Sequence, residues 1–155
     1  MTFQKSQGFT LVELIVVIIL LAIVSVYAAS RYIGIGSFSA FAIQENAISV
    51  IRQVQLTRMQ SNSDVTAGLN DLTLEISTDC IGSTLACSER SDMSSNWISD
   101  DNVVFSSTNS QVQFDLLGNP NITSALEITI SDKTGASSTS VTICPNGLVS
   151  SSGCL

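Results

Sequence analysis

Gly8-Phe9-Thr10-Leu11-Val12-Glu13-Leu14-Ile15 opens a run that continues as VVIILLAIVSVYAA through Ala29. From Phe9 to Ala29 the chain carries 21 residues with one formal charge, that of Glu13. As an α-helix at 1.5 Å per residue this stretch is about 31 Å long, enough to cross the hydrocarbon core of a bilayer. Every face is apolar, which leaves no side for water. The segment therefore predicts a membrane helix rather than the core helix of a soluble domain.

A removable secretory signal and a retained anchor both begin with apolar runs. A secretory h-region spans about 7–15 residues and ends at a small-residue site. Val26-Tyr27-Ala28 could pass for such a site, but the run is too long and starts too late behind its leader. Lys5 and the amino terminus place the start on the cytoplasmic side and the rest of the chain outside, although Arg31, just past the span, opposes that bias. Glu13 is the costly residue. Translocon scales charge about 2.5–3.5 kcal/mol for an acid at the centre of a membrane helix, and a residue nearer the end can snorkel. A lone acid within the membrane normally has a partner.

The octapeptide Gly8–Ile15, behind a short leader containing Lys5, resembles the class III signal of type IV prepilins and type II secretion pseudopilins. The match joins a basic leader, a glycine before an aromatic residue, a glutamate five residues into the mature chain, and a long apolar helix. It implies that a prepilin peptidase cuts between Gly8 and Phe9 and that Phe9 is N-methylated, leaving 147 residues. It also implies that Glu13 meets the N-terminal ammonium of a neighbouring subunit. In an apolar filament core such a pairing favours one axial register, because the carboxylate is costly anywhere else. The implied location is the inner membrane, single-pass with the head in the periplasm, and then a filament.

Beyond the span, Tyr32, Ile35, Phe38, Phe41, Ile48, Ile51 and Val54 recur at helical spacing among Gln44, Glu45, Arg52 and Arg58. No proline precedes Pro120, so a helix could run from about Phe9 to Gln60, about 78 Å if unbroken. Its second half is expected to bury the named stripe. Prepilins commonly carry a proline about where Ala29-Ser30-Arg31 stands here, and this chain lacks it. Gly34 and Gly36 are candidate weak points instead, at about 1 kcal/mol each, or else sites of close helix packing.

After Asn62 the composition turns to Ser, Thr, Asn and Asp. Leu72, Leu74 and Ile76 alternate with polar residues, as do Val112, Phe114 and Leu116, then Leu126, Ile128 and Ile130, then Val141 and Ile143. With turns at Gly118–Asn121 and Asp132–Gly135, these predict an antiparallel sheet of four or more strands, covered by the helix stripe. The fold expected is α+β and pilin-like: a leader at 1–8, a transmembrane helix at 9–30, an amphipathic half at 31–62 and a β-rich head at 63–155. Within the head, 114–118, 126–130 and 141–143 before Gly147 resemble minor pseudopilins of the H class. Together with Tyr27 and Tyr32 at the anchor's end, they are also similar to minor pilins of the mannose-sensitive haemagglutinin pilus.

Past Gln60 there are eleven acidic side chains against Arg90 and Lys133, a net charge of −9. Such a surface repels polyphosphates, so no nucleic acid is expected as a partner. The chain has no histidine, which excludes Ser-His-Asp and Cys-His catalysis and His-ligated zinc. Asp100-Asp101, beside Ser99 and Asn102, reads as a solvated loop rather than an acid/base pair. No enzymatic activity, metal or cofactor is expected.

Cys80, Cys87, Cys144 and Cys154 all lie in the expected extracytoplasmic part, where disulfides persist. Their CX6C and CX9C spacings do not match structural zinc knuckles. Three pairings are open, and locality favours Cys80 with Cys87 and Cys144 with Cys154. Two further functional readings compete with a pilus subunit: a pseudopilin of type II secretion, and a binding module on a filament with Trp97 as a ligand platform. A lone tryptophan in such a setting is more often a core or sheet-edge residue. Asn121-Ile122-Thr123 matches a glycosylation pattern and is read as chance.

Overall fold

The computed structural model describes residues 9–33, 36–61 and 72–154. The chain forms two compact units that divide between Ile35 and Gly36. The first contains α1 (Leu11–Ile33), whose side chains from Leu11 to Tyr27 are exposed all round. The second begins with α2 (Gly36–Gln60). Residues 34 and 35 lie outside the described set, so the suggested weak point at Gly34 does too; Gly36 is the first residue of α2.

Two four-stranded antiparallel sheets follow, where the alternation had pointed to one. The first, in the order β3-β2-β1-β5, is built from β1 (Thr73–Ile76), β2 (Ile81–Ser83), β3 (Trp97–Ile98) and β5 (Gln111–Gln113). The second, in the order β4-β6-β7-β8, is built from β4 (Val103–Ser107), β6 (Leu126–Asp132), β7 (Ser138–Ile143) and β8 (Val149–Ser150). A short helix, α3 (Thr84–Glu89), is capped by Ser83, whose side chain accepts from the Ala86 N–H. Register keeps apolar residues on one face: Leu74 opposes Val112, and Ile128 opposes Val141.

One core joins α2 to both sheets. Ala40, Ala47, Ile48, Ile51 and Val54 from the helix meet Leu74, Ile81, Phe105, Val112, Ile128, Ile130, Val141 and Ile143. Each fully buried aliphatic side chain contributes about 1.5–3 kcal/mol. Polar bonds run along the same helix. Gln44 Nε2 donates to the Ser140 carbonyl at 2.7 Å, Arg52 to Val149 at 2.8 Å and Arg58 to Phe114 at 3.1 Å. Gln55 Nε2 donates to the carbonyls of both Gly118 (2.6 Å) and Gly147 (2.9 Å), fastening two turns to the helix.

The buried stripe differs from the expected one. Ile48, Ile51 and Val54 are inside, but Phe38 and Phe41 are 72% and 51% exposed. Ala40 and Ala47, with Ile43 partly buried beside them, take the inward positions of the first turns. The side chains of Tyr32 and Ile35 fall outside the described set. Leu116 also departs from its expected strand. Asp115 starts a turn there, with its carboxylate accepting from the N–H groups of Leu117 and Asn119, and Leu116 and Leu117 face outward.

Candidate functional site at the amino-terminal helix

α1 begins where the chain supplies a cap. Thr10 Oγ1 accepts from the Glu13 N–H at 3.2 Å, and the Thr10 carbonyl accepts from the Leu14 N–H at 3.2 Å. Thr10 is thus the N-cap, and Glu13 occupies the third helical position. A threonine cap is worth about 1 kcal/mol, and an acid in the first turn is favoured by the helix dipole. Threonine with glutamate three residues on, ahead of an apolar run, is the capping-box pattern, a sequence signal for this role of Thr10.

Phe9 stands one residue outside the cap and is exposed; Gly8 lies outside the described residues. Glu13 is exposed, and its carboxylate has no ion-pair partner among the described residues. Leu11–Ala29 form 19 residues of mean hydropathy 2.9, none of them buried. Ser25 Oγ donates back to the Leu21 carbonyl at 2.6 Å, so its hydroxyl is satisfied within the helix. Such internal pairing is what an apolar solvent requires of a polar side chain.

In the head the cysteines pair locally. Cys80 joins Cys87 (Cα–Cα 6.0 Å), fixing the start of β2 to α3, and Cys144 joins Cys154 (Cα–Cα 5.7 Å), fixing the end of β7 to the C-terminal segment. With all four in disulfides, none is left as a thiolate ligand. Trp97 is half-buried in edge strand β3 and donates Nε1–H to the Ser91 carbonyl at 3.0 Å. Asp100 closes a turn by accepting from the Asn102 N–H at 2.7 Å.

Three other carboxylates are held below the ordinary aspartate range. For Asp79 the chief cause is the Arg90 guanidinium at 2.5 Å, followed by the Ser77 hydroxyl. For Asp115 it is the Asn119 side chain at 3.0 Å, with the Asn119 and Leu117 N–H groups adding to it. For Asp132 it is the Thr134 hydroxyl, then the Thr134 N–H at 2.8 Å, then Ser39 at 3.0 Å. The partners of each belong to turns or caps, and Asp132, 4% exposed, ties the β6–β7 turn to the start of α2.

The amino-terminal segment decides the comparison with known proteins. Residues 3–29 match the family model of the prokaryotic N-terminal methylation motif. No curated protein and no solved structure matches the chain. The methylation motif contains Gly8, Phe9, Thr10 and Glu13 and ends where the apolar helix reaches Ala29. Together with that helix and an antiparallel β head, it supports a type IV pilin-like or pseudopilin protein, anchored in a membrane and processed by a prepilin peptidase.

Proposed function

We propose that this chain is a prepilin subunit of a type IV filament, cut between Gly8 and Phe9, N-methylated on Phe9, and assembled with other pilins through Glu13. The observation that carries this reading is the methylation motif over 3–29 on a helix that starts at its threonine cap. Cleavage there leaves the new ammonium on Phe9, immediately outside the cap, and the carboxylate of Glu13 in the first turn. A subunit displaced along the filament axis brings its ammonium to that carboxylate, and the apolar surroundings then make the pair costly to break.

Among pilins we assign the chain to the minor class, of the kind found in the mannose-sensitive haemagglutinin pilus. This rests on the resemblance of the head segments 114–118, 126–130 and 141–143. The head faces the periplasm before assembly, where its two disulfides persist. Mass spectrometry of sheared surface filaments tests the assignment: the chain is expected there, beginning at methylated Phe9 and scarce relative to the main subunit. Its absence from filaments, with exoprotein release depending on it, would instead establish a pseudopilin of type II secretion.

A further inference from the structure

Strands β6 and β7 turn Ile128, Ile130, Val141 and Ile143 into the core and leave Glu127, Thr129, Ser140 and Thr142 on the opposite face, where Glu127 is paired across the strands with Thr142 and Thr129 with Ser140. Two clefts open beside this face. One, of about 590 Å³, is lined by Glu127, Ser140 and Thr142 together with residues 151–154, a segment that the Cys144–Cys154 disulfide ties to the end of β7. The other, of about 250 Å³, lies between the β4–β5 turn and the segment 121–126, with Thr108, Asn109, Thr123 and Ser124 on its lining. Ala125 is exposed and lines both, so the clefts adjoin there. Glu127 carries the only charge on either lining. Its carboxylate and the hydroxyls of Thr123, Ser124, Ser140, Thr142 and Ser151 have no hydrogen-bond partner among the described residues.

We propose that the adjoining clefts bind a short neutral oligosaccharide, with sugar rings on either side of Ala125. A hydroxyl both donates and accepts, so a hydroxyl lining pairs with a polyhydroxy ligand in either sense, and an ionised carboxylate accepts from two neighbouring hydroxyls of one ring. Neither lining holds a cation for a phosphate or sulfate group, and the net charge of −9 past Gln60 repels anionic glycans at longer range. One carboxylate among hydroxyls supplies too few anionic oxygens for a tight divalent-cation site. An extended peptide would need a free strand edge for its backbone, whereas β6 and β7 are the inner strands of their sheet and offer a face of side chains. Short side chains on paired strands also lose little freedom when a ligand orders them. The site belongs to the folded head and does not depend on the filament-subunit reading. It is separate from Trp97, which stands in the other sheet.

Saturation-transfer NMR on the full chain, held in a detergent without a sugar headgroup, tests the site. The probes are neutral pentasaccharides of glucose, galactose, mannose, xylose and N-acetylglucosamine, a sulfated pentasaccharide, and a polar heptapeptide. At least one neutral sugar is expected to bind with a Kd in the millimolar range, and the sulfated probe and the peptide are not. Glu127→Gln keeps the shape of the cleft and removes the charge, so it should weaken binding about tenfold. Ala125→Trp fills the junction and should abolish binding. Both side chains are exposed, so both variants are expected to keep the melting midpoint of the unaltered chain. Failure of every neutral probe to bind overturns the proposal, as does sugar binding that either variant leaves unchanged. Equal binding of the sulfated probe, or binding of the peptide in place of the sugars, overturns the ligand class.

Discussion

On the proposed filament-subunit reading, Glu13 is the residue on which assembly would turn. Removing one partner of a buried ion pair costs about 3–5 kcal/mol, because the other charge stays unpaired. Glu13→Gln and Glu13→Val are therefore expected to remain membrane-bound and processed but to fall to background in sheared filaments; normal recovery would refute the role. Gly82 is decisive in a different way. A Cβ there would stand 2.5 Å from the Asn96 carbonyl oxygen and the Trp97 Cα, both backbone atoms of the neighbouring segment. Gly82→Ala should destabilise the head by about 1–3 kcal/mol, seen as a lower midpoint in thermal denaturation. Glu13 could be singled out from the sequence because a charge inside an apolar run is conspicuous. Gly82 could not, since its requirement comes from the close approach of β2 and β3, and β3 is only two residues long.

At the scale of elements, α1 and strands β1, β6 and β7 follow from apolar runs and alternation, signals that need no tertiary contact, whereas β4 (Val103–Ser107) was not marked by any alternation named from the sequence. The inward face of α2 was harder to place. Phe38 and Phe41 fit a helical period as well as Ala40 and Ala47 do, and hydrophobicity favours the phenylalanines. The structure turns Ala40 and Ala47 inward and leaves the phenylalanines exposed, a choice of face that periodicity does not express. Short strands such as β2 and β8 are invisible for a related reason, since two or three residues cannot display an alternation. Asp132 shows how an acid in a turn joins elements. Its folded-state pKa lies below the unfolded value of about 3.9. The stability it contributes is therefore fully present above that pH and is lost as pH falls through the folded-state value. Asp132→Asn should flatten the acid limb of a melting-temperature profile between about pH 5 and 2, and an unchanged limb would show that the carboxylate is not responsible.

For the whole molecule, the sequence sets an apolar anchor apart from an acidic head expected from residue 63, while the structure divides between Ile35 and Gly36, with α2 in the same compact unit as the head strands. The head is closed by two short disulfide loops, with separations of 7 and 10 residues. Each constrains the unfolded chain by about 2.5 kcal/mol on the loop-entropy model. Reduction should lower the melting midpoint of the folded chain, and replacing the Cys144–Cys154 pair by serines should reproduce about half of that loss. A negligible change on reduction would place the head's stability in its hydrophobic core alone. The proposed assignment to the minor pilins was the least legible part, because it rests on short strand segments whose pattern many β domains share.

The most direct measurement of what this chain is concerns its amino terminus: the intact mass of the membrane-bound protein, with and without the host's prepilin peptidase. With the peptidase, the mass should correspond to residues 9–155 plus one methyl group on Phe9; without it, to the whole chain. A peptidase-independent start, or an uncut and unmethylated chain in both cases, would contradict the assignment of Gly8-Phe9 as a processing site and with it the filament-subunit reading.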